Sequence, residues 1–384
     1  GLLIDDLSTS TIHAFSSVET SGVKKGSIIN ISTTASSISE CLRNIEQQSG
    51  FKLKEVLVSF SGEEVSSTNS VGQAAISENE VSARDIENAL NMSSTLKIPN
   101  DKTLLYVVPN SFFIDGQGNI DDPLGMNGIK LEARSHLIHC SKNTKDNIKK
   151  CLKVSSSGIG IRKYFYSQLG VAHSVLTDYQ KKLGVCVLDI GAGTTDISVY
   201  QNGSITFSKV LPYAGDYITE IIASALDIQS SDAEAIKKKY GSAFSDNIND
   251  EMLNISVENG KKSISRKALA GLIENSMSKI LRHCLNSLEE NNLLNNISDG
   301  IVITGGSANM EGMVKLGEKL SNLNFKIGIP KYNLPRKSDN LMKPENSVIL
   351  GMTKFYALEQ DKEFTFNQSK GIIARVLEWI RTEL

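Results

Sequence analysis

Residues 184–196, Gly-Val-Cys-Val-Leu-Asp-Ile-Gly-Ala-Gly-Thr-Thr-Asp, constrain the fold more than any other stretch. Val185, Val187 and Leu188 predict a short buried strand that ends at Asp189. The chain then turns through Gly191, Ala192, Gly193, Thr194 and Thr195, and a second alternating stretch follows, from Asp196 to Tyr200. Glycines let backbone N–H groups come close to an anion, and the two threonines add hydroxyl donors. Asp189 can face Mg²⁺ through water, because that ion keeps much of its hydration shell. The pattern is a hairpin tip that grips phosphate. It is not a strand-to-helix loop, and GxxxxGK[ST] is absent.

At 384 residues the chain has room for two domains or more, and its hydrophobic and charged fractions, 40% and 22%, suit a globular protein. A net charge of −2 and the lack of a long basic tract argue against a nucleic-acid partner. No run of about 18 apolar residues exists to span a bilayer, and no secretory signal opens the chain. It begins at Gly1 rather than Met, which leaves room for residues before it. The cysteines, Cys41, Cys140, Cys151, Cys186 and Cys284, form no CxxC pair, as expected in a reducing cytosol. His136 and His139 lie near Cys140, but three residues apart on a strand they face opposite sides, which argues against a metal site.

Taken in order, Leu2-Leu3-Ile4 predicts a strand running into Asp5-Asp6-Leu7-Ser8-Thr9-Ser10-Thr11, a second turn of acid and hydroxyl residues but without glycine. Val23 to Ile31 reads as mixed loop and strand, Ser39 to Gln48 as an amphipathic helix, and Val56 to Phe60 as a strand ending at Ser61-Gly62. Residues 64–146 read as an inserted α+β unit. Ser77 and Glu80 suggest a capping box ahead of a helix through Val81, Ile86 and Leu90. A strand Leu104–Val108 is expected to stop at Pro109, followed by a Gly- and Asp-rich loop over 116–128 and a strand Ile129–His139. Helices are expected at Thr144–Leu152, Gly170–Leu176, from Tyr213-Ala-Gly-Asp216 to Leu226, from Ser231 to Lys239 and from Ser265 to Leu288, with a polar loop over 242–262. Asp299–Thr304 predicts a strand that runs into Gly305-Gly306-Ser307 and then a helix through Met313 and Leu320.

Glu345 to about Leu358 reads as the last core helix and Glu359–Ser369 as a polar linker. Beyond it, Ile372, Ile373, Val376, Leu377, Trp379, Ile380 and Leu384 fall within an arc of roughly 160° on a helix. A helix over 371–384 would be about 21 Å long, too short to cross a hydrocarbon core of about 30 Å.

Two phosphate-type turns and a double-glycine turn, each after a strand, resemble the actin/Hsp70 ATPase fold, an α/β fold whose two lobes clamp a nucleotide. Within it the chain is similar to the FtsA family of bacterial divisome proteins. The segments that carry this are Ser21-Gly-Val-Lys-Lys-Gly26, Leu57-Val-Ser-Phe-Ser-Gly62, Tyr213-Ala-Gly215, Ser231-Asp-Ala-Glu-Ala-Ile-Lys237 and Ile303-Thr-Gly-Gly306, in family order.

The resemblance implies subdomain 1A over 1–63, 147–183 and 341–358, 1C (SHS2-like) over 64–146, 2A over 184–226 and 301–340, and 2B over 227–300. A linker over 359–370 and a membrane-targeting amphipathic helix over 371–384 would follow. It also implies ATP and Mg²⁺ as ligands. Asp189, Gly191, Gly193, Thr194 and Thr195 would bind the phosphates on one side, and Asp6, Ser8, Thr9 and Ser10 on the other. Asp6 and Asp189 would hold Mg²⁺ through water, by the same hydration argument. Glu234 and Lys237 would reach the ribose and base, and Gly305, Gly306 and Ser307 would line the adenosine. Read without the resemblance, Glu234 and Lys237 are a solvated i,i+3 pair.

The partners implied are the C-terminal tail of FtsZ, met by Lys237, Arg266 and Lys267; membrane lipids, met by Ile372, Ile373, Val376, Leu377, Trp379 and Ile380; further copies of the chain in a filament; and other divisome proteins on 1C. The implied place is the cytoplasmic face of the membrane at the septum. Where the family's first turn usually reads D-I-G-T-(S/A)-K, this chain has Asp6-Leu-Ser-Thr-Ser-Thr11. Close backbone approach and one phosphate-binding charge are lost, so ATP turnover is expected to be slow or undetectable. A sugar-kinase-like phosphotransferase would need a carboxylate facing a substrate cleft and has no use for the tail. A PilM-like adaptor shares the insertion without the tail, and an MreB-like filament lacks the insertion.

Overall fold

The computed structural model describes residues 1–4, 12–95, 98–156, 158–258, 260–331 and 340–369, with side chains as far as Leu358. The first lobe opens with β1 (Leu2–Ile4) and β2 (Ile12–Phe15), an antiparallel pair. A small hairpin, β3 (Val23–Lys24) and β4 (Ser27–Ile28), turns at Lys25-Gly26. α1 (Ile31–Ser49) begins eight residues before the expected Ser39. Asn30 caps it by accepting from the Thr33 amide, and Ser36 and Ser37 bond back to the carbonyls of Ser32 and Thr33. The hydroxyls that make such a stretch read as loop are therefore satisfied within the helix. β5 (Glu55–Phe60) follows.

The inserted unit comprises β6 (Ser66–Ala75), α2 (Ala83–Ser94), β7 (Lys102–Ile114), β8 (Gln117–Ile120) and β9 (Lys130–Ser141). The sheet order is β6-β9-β7-β8, all antiparallel, with α2 packed through Ile86, Ala89 and Leu90 on Phe112, Leu131 and Ala133. The capping box is Ser82 with Asp85, not Ser77 with Glu80, and Ser77 donates to Asp85 Oδ1 at 3.0 Å instead. Pro109 does not end β7. The strand passes through it with a register shift between Pro109 and Ser111, which removes the need for a ladder N–H at that point. The expected loop over 116–128 contains β8.

The chain returns to the first lobe through α3 (Lys142–Ser155), β10 (Gly160–Tyr166, parallel to β5), α4 (Ser167–Val175) and α5 (Asp178–Leu183). α5 leads into the central strand.

The second lobe is built on β11 (Val185–Ile190), β12 (Thr195–Gln201) and β13 (Ser204–Leu211), then α6 (Gly215–Leu226), α7 (Ser230–Tyr240), β14 (Met252–Val257), β15 (Gly260–Ser265), α8 (Arg266–Glu290), β16 (Ile301–Thr304), α9 (Met313–Leu320) and β17 (Phe325–Ile327). The sheet order is β13-β12-β11-β16-β17, with β11, β16 and β17 parallel and β12 antiparallel between β11 and β13. One face buries Leu188, Ile190, Ile197 and Val199 against Ile218, Ile222, Ile273 and Met277 of α6 and α8. The other buries Val185, Val187 and Tyr200 against Val171, Ala172 and Val175 of α4. β11 is covered on both sides, which is why its sequence is apolar without alternation. The stretch read as a polar loop over 242–262 holds the β14–β15 hairpin.

α10 (Ser347–Ser369) crosses α4 where Gly351 meets Gly170; a Cβ on Gly351 would lie 1.8 Å from the Gly170 carbonyl oxygen. The helix does not stop near Leu358 but continues to Ser369, replacing the expected linker over 359–369. No Gly or Pro lies between Met352 and Ser369, so nothing in that polar stretch breaks a helix. The insertion also bonds to the second lobe. Ser67 donates to the Ser208 carbonyl at 2.7 Å and Asn69 Nδ2 to the Thr206 carbonyl at 3.0 Å. His136 lies between Asn69 Oδ1 and Ser208 Oγ, and burial pushes its pKa down to about 4. No cluster of three metal-ligating side chains occurs among the described residues.

Candidate functional site

The β11–β12 register sets Asp189 directly opposite Asp196. Asp189 is 9% exposed and Asp196 3%. Burial raises Asp189 to about 6. Burial, and then the neighbouring Asp189, raises Asp196 to about 7, against hydrogen bonds from Ser61 and Thr194. Gln168 Nε2 approaches Asp189 Oδ2 at 3.5 Å, and its Oε1 accepts from Ser198. Ser61, at the end of β5 in the facing lobe, donates to Asp196. Among the described residues no ion pair reaches either carboxylate. Two adjacent desolvated acids without a cation fit a divalent ion held through its waters.

Above this pair the tip Gly191–Thr194 is closed by the Gly191 amide, which donates to the Thr194 carbonyl at 3.0 Å. The first turn of α6 grips it from outside. The Gly215 amide donates to the Gly191 carbonyl at 3.1 Å and the Asp216 amide to the Ala192 carbonyl at 2.8 Å. Ser307 Oγ also donates to the Gly191 carbonyl, at 3.0 Å. The sequence reading gave phosphate contacts to both threonine hydroxyls, but both are committed. Thr195, fully buried, donates to the Tyr213 carbonyl at 2.7 Å, and Thr194 donates to Asp196 at 3.2 Å. Their side chains brace the tip, and backbone amides are left to meet an anion. The tip reaches across to the first lobe, since a Cβ on Gly193 would lie 3.2 Å from the backbone of Lys25. Lys25 Nζ sits 5.6 Å over the ring of Tyr213.

The third motif arrives because β16 pairs with β11 and sets Thr304 beside Asp189. Gly305 has φ +85°, and a Cβ there would lie 2.3 Å from Asp189 Oδ1, whereas one on Gly306 would meet nothing within 4 Å. The two glycines therefore do different work. Gly305→Ala is expected to destabilise the fold by more than about 2 kcal/mol through strain and collision. Gly306→Ala is expected to keep the melting temperature and weaken nucleotide binding, because its methyl enters the open side. Thermal unfolding and calorimetry on both variants check this. Equal stability in the two would refute the assignment.

Glu234 and Lys237 are not a solvated pair. Lys237 is 7% exposed and its Nζ lies 2.6 Å from Glu234 Oε2, 2.8 Å from Thr219 Oγ1 and 2.9 Å from the Gly215 carbonyl. Burial pulls Glu234 upward, but hydrogen bonds from Lys237 and Thr219 outweigh it and hold the carboxyl below its usual range. The network ties α7 to the turn of α6 that grips the tip. So placed, Lys237 is not open to a partner peptide, and that part of the sequence expectation is corrected. Arg266 is partly exposed and paired with Glu251 at 3.1 Å and Glu311 at 3.6 Å, while Lys267 is exposed beside it.

Asp6, Ser8, Thr9 and Ser10 lie outside the described residues, as do Ile372, Ile373, Val376, Leu377, Trp379 and Ile380. Among the described residues no helix is long and apolar enough to cross a membrane. Sequence reading missed Asp196, Gln168, Ser61 and Lys25. The signal for Asp196 was a second acid seven residues after Asp189. A four-residue hairpin tip places such residues face to face.

Comparison with known proteins agrees with this layout. The family model for cell division protein FtsA matches residues 186–351, and that for the SHS2 domain inserted in FTSA matches residues 62–139. The chain is 34% identical over 345 residues to cell division protein FtsA of Pseudomonas aeruginosa, covering 89% of this chain and 82% of that protein. It is 30% identical over 370 residues to cell division protein FtsA of Escherichia coli K12, covering 94% and 87%. Among solved structures, the PilM-PilN type IV pilus biogenesis complex superposes with a TM-score of 0.67 at 15% identity, over 92% of this chain and 93% of that one. The chain belongs to the FtsA family of cell division proteins, with an actin-like α/β fold and an SHS2 insertion.

Proposed function

We propose that this chain binds Mg–ATP between its lobes and ties FtsZ filaments to the cytoplasmic face of the membrane through its C-terminal segment. One observation carries the nucleotide reading. The buried Asp189–Asp196 pair lies beneath a glycine tip that α6 and Ser307 hold from one lobe and that Lys25 approaches from the other. Bound there, Mg²⁺ would neutralise phosphate charge. The tip amides would orient the phosphates, Lys25 would add a positive charge from the facing lobe, and Gly306 would leave room for the adenosine. Asp6, Ser8, Thr9 and Ser10 complete the reading from sequence, with subdomains 1A, 1C, 2A and 2B assigned as above. Filament formation by the chain itself, and contacts of the insertion with other division proteins, belong to the same reading.

The FtsZ tail is assigned to the start of α8, with Lys267 as its exposed cation and Arg266 beside it. The test is co-sedimentation of FtsZ with vesicles that carry this protein. Lys267→Glu together with Arg266→Glu is expected to weaken recruitment about tenfold, as two reversed charges worth about 1.4 kcal/mol together would do, and more so at low salt. Arg266→Glu also faces Glu251 and Glu311, so Lys267→Glu alone serves as the variant without that repulsion. Unchanged recruitment in both moves the interface elsewhere.

A further inference from the structure

The described part of α10 shows where the chain leaves the first lobe. Met352 and Tyr356 both pack on Phe165, and the Arg162 guanidinium lies 6.0 Å over the Tyr356 ring. From Met352 to Tyr356 the helix therefore runs toward the start of β10, and it continues to Ser369, about 20 Å further at 1.5 Å per residue. The described helix thus projects past the end of the lobe where β10 begins.

That end is basic. The last turns of α3 carry Lys149, Lys150 and Lys153, all exposed, next to Val154, an aliphatic residue 64% exposed. The Gly160 amide donates to the Lys54 carbonyl at 2.8 Å, which brings a further exposed lysine to the same edge, and exposed Arg162 is two residues along. The acids near it are Glu55, 3.5 Å from Arg162, and Asp146 of α3, whose charge acts on Tyr164. A cleft of about 320 Å³ opens between the end of α3 and β10, lined by Lys149, Lys153 and Tyr164 among others. The tail itself is nearly neutral, with Lys370, Arg375 and Arg381 against Glu378 and Glu383. Lipid charge therefore finds little to attract it in the tail and much on this end of the lobe.

We propose that this face, the end of α3 with Lys54 and Arg162, is a second membrane contact that seats on anionic phospholipid headgroups. It rests on the reading of the tail as membrane anchor. The tail supplies apolar insertion, and the face supplies selection for anionic lipid and fixes which side of the lobe lies on the bilayer.

The test uses the full chain with phosphatidylcholine vesicles, with and without phosphatidylglycerol, at low and high salt. Wild type is expected to prefer the anionic vesicles, and salt is expected to remove that preference. Lys149→Gln with Lys150→Gln and Lys153→Gln, all on the surface, is expected to lose at least about tenfold of the preference, and up to about a hundredfold, while binding neutral vesicles as wild type does. Trp379→Glu is expected to abolish binding to both. If Trp379→Glu still binds both as wild type does, the anchor reading fails. If wild type shows no preference, or the triple variant keeps it, the second contact is refuted.

Discussion

Asp196→Asn is expected to make the ligand-free protein more stable at pH 8 than wild type, with a smaller gain at pH 5. In the folded chain burial raises Asp189 to about 6 and Asp196 to about 7, whereas an unfolded aspartate titrates near ~3.9. A raised folded pKa means that the native state holds its proton longer. The stabilisation this gives is complete below about pH 4 and is lost as pH rises through about 6 and 7. At pH 8 both carboxylates are ionised, desolvated and opposite one another. Removing one charge relieves that repulsion, while an Asn oxygen still accepts from Ser61. The difference in melting temperature between variant and wild type is expected to grow by about 2 °C or more between pH 5 and pH 8. A difference that does not move with pH would mean that the pair is not strained.

The same pair predicts the ligand. A divalent ion favours the ionised carboxylates, so protons compete with it, and Mg–ATP should bind more weakly at pH 5.5 than at pH 8. Asp189→Ala removes one carboxylate of the pair and leaves Gln168 without that partner, and is expected to lower Mg–ATP affinity at least tenfold, about 1.4 kcal/mol, in calorimetry. Equal affinity in variant and wild type would end the site assignment.

What could be read from the sequence follows from how each element is buried. β11 and β16 are covered on both faces and stand out as apolar runs, so the hairpin, the double glycine and the long α8 were legible. β6, whose sequence runs Ser-Ser-Thr-Asn-Ser-Val-Gly-Gln-Ala-Ala, takes its strand identity from pairing with β9, which no local pattern reports. β10 carries Arg162 and Lys163 at the edge of its sheet and shows little apolar period. In β14, Leu253, Ile255 and Val257 do alternate, but six residues are lost when a polar region is read as one piece. Asp196 was passed over because it opened an alternating stretch, where an acid reads as the solvent side. In the fold all of 195–200 is buried, so that acid faces its partner and not water. The committed hydroxyls of Thr194 and Thr195 show the limit of a motif, since composition names the donors but not where they point.

Trp379→Glu is expected to release the protein from membranes while its nucleotide site stays intact. As a helix, the sequence from Gly371 to Leu384 would place Ile372, Ile373, Val376, Leu377, Trp379 and Ile380 on one side, with Arg375, Glu378 and Arg381 opposite or at the edge and Glu383 the exception, within the apolar arc. Burial of those six side chains would have to supply most of the attachment, because three cations against two acids leave only +1 on residues 370–384. A single helix of this size holds a bilayer reversibly. Many on one filament would hold it firmly, since each attachment raises the effective concentration of the next. A glutamate in place of the largest side chain of the apolar face would enter the headgroup boundary charged or need to be protonated, so every copy would lose its hold and avidity would multiply the loss. The variant should remain in the supernatant in vesicle sedimentation, with wild-type melting temperature and Mg–ATP affinity. A Trp379→Glu protein that still pellets with vesicles as wild type does would remove the tail as anchor, and with it the main support for reading this chain as the link between filament and membrane.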